Sequence, residues 1–350
     1  MNYPAIPGRT AFGGIVAISL ALTIIAPVLA QAPRQQYPAR QIEIRSHAIA
    51  AFDPREPNRT RFGALEFRGG LVLESPHREF GGLSALRVAA DGERFLSLTD
   101  KGNWLRGRIV YRDGRPIAIA DAEMAPILGP DGQPVAARGW YDTEALAEAD
   151  GMLYVAIERV NEILRFDYAK DSLSARGYPI AVPPGIKALP HNKSLECLAM
   201  VPKDLATNGG PVAGTLIAIS ERGLDAHGNL LSFLIGGPGG TFTLKRTEEF
   251  DVSDCAVTPR GNLLVLERRF SWTRGVAMRI RGIPLGAVKP GAIVDGPELA
   301  FADMNYQIDN MEGLSVHRSA DGALVLTLIS DDNFSALQRT ILLQFTLVGE

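Results

Sequence analysis

Asn310–Asn333 reads NMEGLSVHRSADGALVLTLISDDN, and Phe80–Asn103, more than 200 residues upstream, reads FGGLSALRVAADGERFLSLTDKGN. Both carry Gly-Leu-Ser, an Asp-Gly turn and an apolar run that ends in Asp. Aligning on the small residue before the first Leu finds three further units between them: TEALAE at Thr143, LECLAM at Leu195 and SDCAVT at Ser253. Each leads through a turn (Asp150-Gly151, the loop NGGPVAG, Arg260-Gly261-Asn262) into MLYVAIER, TLIAISER or NLLVLERR. Val-, Ile- and Leu-rich runs bounded by glycine turns are strands, and another run such as EILRFDY or TILLQFTLV follows most of them. Acids enter the units at Glu144, Glu196, Asp254 and Glu312 and leave the second strands at Asp100, Glu158, Glu221, Glu267 and Asp331. The spacings within the two sets run from 46 to 64 residues. Short antiparallel strands repeating at this period make an all-β β-propeller. About 320 residues after a leader fit six blades, the last completed by N-terminal strands pairing with the end of the chain. Five blades with an N-terminal cap is the alternative.

The first residues do not read as fold. One arginine, Arg9, precedes the uncharged run AFGGIVAISLALTIIAPVLA, and small residues follow at cleavage spacing. This predicts a signal peptide over residues 1–30 and a single domain over 31–350, exported to the periplasm or secreted. A retained membrane anchor is the alternative. A net charge of −3 supplies no basic field for nucleic acid, and no membrane insertion is expected after cleavage.

In a propeller the first strand of each blade lines the axis, so repeated slots converge there. Gly82, Ala145, Cys197, Cys255 and Gly313 share a slot where crowding admits small side chains. The two cysteines are accordingly read first as small buried residues; export would permit a bridge between them, which needs Cα atoms within roughly 7 Å, and whether equivalent slots of neighbouring blades come that close is left open. The preceding slot holds Gly81, Glu144, Glu196, Asp254 and Glu312. Carboxylates crowded in this way need a cation or hydrogen-bond donors. Ca²⁺, which takes many oxygen ligands, would satisfy them. So would arginines, present in the pairs Glu158-Arg159, Glu221-Arg222 and Glu267-Arg268, acting only to lock the blades. Asn103, Asn161, His191, Lys193, Asn310 and Asn333 are loop residues that could complete a polar pocket. The loops Asp121–Asp142 and Pro179–Ser194 are expected at the mouth of the channel. No Gly-x-Ser-x-Gly elbow, His-Glu-x-x-His, P-loop or dinucleotide fingerprint occurs, and the five histidines are scattered.

GGLSAL…DGERFLSLTDKG, YDTEALAEADGMLYVAIERVNEILRFD and MEGLSV…LVLTLISDDN resemble the bacterial phytase-like family described as having esterase-like activity of phytase. The resemblance runs from about Ile42 to the C-terminus. It implies a secreted or periplasmic propeller of esterase or phosphoesterase type and carries over Asp100, Asp142, Glu144, Glu158, Glu196, Glu221, Glu312 and Asp331. Asp254-Cys255 departs from the Glu-Gly-Leu form, so that blade is expected to be less involved.

Two functions follow as expectations. One is a hydrolase of phosphate or carboxylic esters, a lactonase being a close variant. It would be Ca²⁺-assisted, with Glu144, Glu196, Glu312 and Asp331 as ligands and Asp100, Glu158 and Glu221 as catalytic carboxylates. Lys101, Arg159, Lys193 and Arg222 would bind a small-molecule substrate. The other is a non-catalytic propeller that binds a ligand or partner in the cell envelope, its acids fully paired with arginine.

Overall fold

The computed structural model describes residues 1–5, 8, 36–207, 210–273 and 275–349. The signal segment expected over residues 1–30 lies largely outside them. Residues 1–36 form one unit and Tyr37–Glu350 another; all the strands belong to the second. Among the described residues no helix is long and apolar enough to cross a membrane.

The strands form five sheets in a ring, and the expected sixth blade does not exist. The inner strands are Leu83–Val88, Thr143–Ala149, Leu195–Met200, Asp251–Val257 and Asn310–Arg318. Each pairs antiparallel with the strand that follows it, and the fifth inner strand packs back against the first. The N-terminal strand Leu65–Glu74 does pair with the end of the chain, but it becomes the fourth strand of blade five, alongside Thr340–Leu347. Among the described residues no strands remain for another sheet. Extra edge strands absorb the length: Arg40–Gln41 on blade one, Arg45–Ile49 on blade five and Ile293–Val294, parallel, on blade three.

The count of five is repeated in the core. Five separate apolar clusters occur, one at each blade–blade interface. A strand with neighbours on both faces must be apolar on both, which is why Leu324–Asp331 is buried at every position and reads as a continuous run. Closure is reinforced where Phe52 meets Phe62 at 4.9 Å and Phe345 at 5.0 Å between ring centroids, edge to face in both cases.

The question of a disulfide, open in the sequence, is answered by the fold. Cys197 and Cys255, on the inner strands of blades three and four, are bonded, with Cα atoms 5.3 Å apart. Inner strands converge so tightly at the axis that equivalent slots of adjacent blades fall within bridging distance. The same crowding explains Gly313, where an added Cβ would lie 2.6 Å from Ile329 Cγ2 and 3.0 Å from the Ala85 carbonyl carbon of the next blade.

Candidate functional site

Every inner strand carries a β-bulge near its start, one residue dropping out of register with the second strand. In blades two, three and five the dropped residue is the glutamate: Glu144, Glu196 and Glu312. A bulge re-aims its side chain out of the ladder, here into a common hub at the axis. In blade one, Leu83 pairs with Thr99 as Thr143 does with Ile157, so the acid slot belongs to Ser84 and the small slot to Ala85. The sequence alignment, which used Gly81 and Gly82, was three residues early. Blade four bulges one residue sooner, at Ser253, leaving Asp254 in the ladder opposite Leu266.

Asp254 therefore faces away from the hub. It is fully buried, accepts from the backbone N–H of Leu314 at 2.8 Å, and pairs with Arg87 at 3.2 Å. The Arg87 guanidinium also donates to the carbonyls of Leu86, Leu146, Leu198, Cys255 and Leu314, one from each of the five inner strands. Only a group on the axis can reach all five, so Arg87 stops the channel at the end opposite the acids.

Of the second acid set, Asp100, Glu158, Glu221 and Asp331 join the hub. Glu267 does not, because its strand continues to Ser271 and holds it in the ladder opposite Arg279, where Arg279 and Arg281 pair with it at 2.6 Å. The next residue, Arg268, takes the hub position instead. Its guanidinium lies 3.2 Å from Glu312 and 3.6 Å from Glu221 and donates to Asn310 Oδ1 at 3.1 Å.

The hub divides into two halves. On one side a carboxylate oxygen from each of Glu158, Glu196 and Glu221 lies within 4.8 Å of the others. Glu158 accepts from the Ser194 N–H at 2.8 Å and Glu221 pairs with Lys193 at 3.1 Å, whereas Glu196 Oε2 is buried without any hydrogen-bond partner. On the other side the carboxylates are tied together. Ser84 Oγ donates to Asp100 at 2.9 Å and approaches Glu312 at 3.4 Å, and Asn310 Nδ2 donates to Glu312 at 2.7 Å and Asp331 at 3.3 Å.

Crowding shows in the protonation equilibria. Burial, then Glu312, pushes Asp100 up to about 7, and burial with Glu312 and Asp100 pushes Asp331 up to about 9. Glu158 rises to about 7 through burial, the backbone bond from Ser194 offsetting part of the repulsion from Glu221. Glu144 and Glu196 are held well above the usual carboxylate range, first by burial and then by their acidic neighbours. Burial opposes the charge of Arg268, but Glu312, Glu196 and Glu221 outweigh it and raise its pKa.

Seven of the sequence-derived acids thus reach the hub, with their groupings changed, while Asp254 and Glu267 do not. Of the four expected metal ligands, Glu196 sits with Glu158 and Glu221, while Glu312 and Asp331 belong to the hydrogen-bonded half with Asp100. Glu144 stands between the halves, repelled by Asp100 and Glu312 on one side and by Glu158 and Glu196 on the other. The expected binding cations line the rim, each engaged. Lys101 lies over the Phe334 ring at 3.3 Å, Arg159 pairs with Asp142 at 2.9 Å, Lys193 with Glu221, and Arg222 with Asp251 at 2.5 Å. Sequence reasoning missed Ser84, Arg87 and Arg268. The signal for Arg268 was present in the Glu267-Arg268 pair, once Arg279 and Arg281 are seen to claim Glu267.

A hard cation fits the trio. The donors are all carboxylate oxygens, Glu196 carries a buried oxygen without a partner, and separations up to 4.8 Å match oxygens placed about 2.4 Å from a single Ca²⁺. Three such oxygens leave coordination positions for water or substrate.

No curated protein matches the chain. Among solved structures, Myxococcus xanthus glutaminyl cyclase is similar at 10% identity and a TM-score of 0.41, covering 80% of this chain and 97% of that one. The PQQ-bound aldose sugar dehydrogenase of Streptomyces coelicolor is similar at 14% identity and a TM-score of 0.37, covering 79% and 97%. Neither likeness is close enough to bear on chemistry. The family model described as phytase-like, esterase-like activity of phytase, matches residues 78–334, which include every hub acid. The chain belongs to the phytase-like family.

Proposed function

We propose that the protein is an exported hydrolase of phosphate or carboxylic esters that works at the axial hub with a bound Ca²⁺. The observation that carries this reading is the convergence of one carboxylate oxygen from each of the buried Glu158, Glu196 and Glu221 to within 4.8 Å of one another. These three would hold the cation, which supplies Lewis-acid polarisation of the ester oxygen and acidifies bound water. Asp100, at the edge of the hydrogen-bonded half, is the proton acceptor, and a group titrating near 7 is suited to that task at neutral pH. Ser84 and Asn310 fix the orientation of Asp100, Glu312 and Asp331. Arg268 keeps the remaining charge tolerable. Lys193 and Ser194, from the loop Pro179–Ser194, set the positions of Glu221 and Glu158.

Export is supported by the leader and, independently, by the Cys197–Cys255 disulfide, since such bonds persist in oxidising compartments. The test is hydrolysis of p-nitrophenyl esters by purified protein, with EDTA and with Ca²⁺. Turnover should need Ca²⁺ and be lost in Asp100→Asn, while that variant keeps the Ca²⁺-induced rise in melting temperature. No turnover of any ester by the Ca²⁺-loaded protein would leave the non-catalytic binding propeller as the better reading.

A further inference from the structure

Resting on that hydrolase reading, we infer that the hub takes an uncharged carboxylic ester with an apolar group, and rejects phosphate esters. Seven carboxyl groups meet there: Asp100, Glu144, Glu158, Glu196, Glu221, Glu312 and Asp331. Two cations reach them, Arg268 and Lys193. Both are already paired with hub carboxylates. A phosphomonoester, carrying about −1.5 to −2 at neutral pH, would find no unengaged cation there to offset its charge. A carboxylic ester brings no charge that needs one.

Sites that act on phosphoryl groups present guanidinium or ammonium clamps to the oxygens. Here the rim cations are already spent. Arg159 is held by Asp142 and stacks on Tyr141, Arg222 is held by Asp251, and Lys101 sits on Phe334. Arg165, Lys170 and Arg176 gather around a cavity of about 610 Å³, but they belong to the third strand of blade two, Glu162–Asp167, and to the turns that follow it.

The mouth offers apolar surface instead. Phe334 abuts the Gly82 backbone beside the Asp100 carboxylate, and its ring and that of Tyr141 remain more than a third exposed. Phe270 and Trp272, in edge-to-face contact at 5.3 Å, stand two and four residues beyond Arg268, with Trp272 94% exposed. Aromatic faces around an acidic hub suit an acyl or aryl group whose ester carbonyl reaches the carboxylates.

The reaction balances without another reagent. Water oxygen bonds to the acyl carbon, the acyl carbon–oxygen bond to the alcohol breaks, and one water proton passes to Asp100 and from it to the departing alkoxide. The second water proton stays on the new carboxylic acid, which releases it to solvent as it ionises. Ester and water become carboxylate, proton and alcohol.

The experiment compares p-nitrophenyl butyrate with p-nitrophenyl phosphate, which share a leaving group, using the Ca²⁺-loaded protein, with inorganic phosphate as a competitor. The butyrate should be favoured in kcat/KM by about 100-fold or more, with no competitive inhibition by phosphate. Phe334→Ser should raise KM for butyrate several-fold with kcat retained. Comparable or preferred turnover of the phosphate, or competitive inhibition by inorganic phosphate, would overturn the inference and leave the hydrolase reading standing. Failure to hydrolyse either substrate, or any longer p-nitrophenyl ester, would remove both together.

Discussion

Replacing Glu196 by glutamine should make the metal-free protein more stable and the Ca²⁺-loaded protein relatively less so. Glu196 shares a space with Glu158 and Glu221 in which the carboxylate oxygens lie within 4.8 Å, so each ionised pair costs about 3.5 kcal/mol at an effective dielectric of about 20. Part of that repulsion is already relieved by proton uptake, since burial and its neighbours hold Glu196 well above the ordinary carboxylate range. The residual gain on neutralisation is then about 1–2 kcal/mol. The new amide N–H₂ can also donate to Glu158 or Glu221. At about 2 °C per kcal/mol for a domain of this size, the EDTA-treated variant should melt about 2–4 °C above wild type. Ca²⁺ at a hundred times its Kd adds about 2.7 kcal/mol to wild type and little to a site missing its unpartnered ligand, so the two melting curves should exchange order as Ca²⁺ is titrated. Differential scanning calorimetry in EDTA and then in increasing Ca²⁺ measures both effects. A variant that melts below wild type in EDTA and keeps the full Ca²⁺ shift would refute the reasoning, for it would show the trio to be a structural lock.

The chelated protein should lose stability as pH rises. Asp100, Glu158 and Asp331 have folded-state pKa values raised above their unfolded ones, to about 7, 7 and 9. Their contribution is complete below the unfolded carboxylate range and disappears through pH 7 to 9. Melting temperature in EDTA should decline from pH 5 to pH 9 and flatten with Ca²⁺, and a maximum near pH 9 in EDTA would contradict it. Arg87→Met should cost about 3–5 kcal/mol by leaving Asp254 buried without its partner, read as a lower urea midpoint; a loss under about 1 kcal/mol would argue against the cross-blade role. Removing the bridge in a Cys197→Ala, Cys255→Ala double variant should cost about 4 kcal/mol, the chain-entropy value for residues 58 apart. Thiol titration of the native protein should find no free cysteine.

The propeller was legible because each blade repeats a complete local instruction: a small residue, a glycine turn and an apolar run buried on both faces. The number of blades was not, because a residue period counts loops and edge strands along with the sheet. Leu65–Glu74 looked like material for another blade and is the missing strand of the fifth. The acids of the hub were legible from their spacing, and Glu144, Glu196 and Glu312 do converge. Their grouping was hidden because it depends on where each bulge falls, and moving it from Asp254 to Ser253 turns one carboxylate to the far end of the channel. Strand length is equally silent in a residue pattern, yet it sends Glu267 into the sheet and Arg268 into the hub. The disulfide stayed undecided because spacing along the chain says nothing of how closely five strands approach one axis.

Arg87 has a consequence for traffic. With its guanidinium wedged among five carbonyls, the propeller is a blind well. No polymer can be threaded through it, so a macromolecular substrate could be trimmed only at groups that protrude from its backbone. On the hydrolase reading, a product formed at the bottom would leave past the same aromatics that its substrate passed on entry.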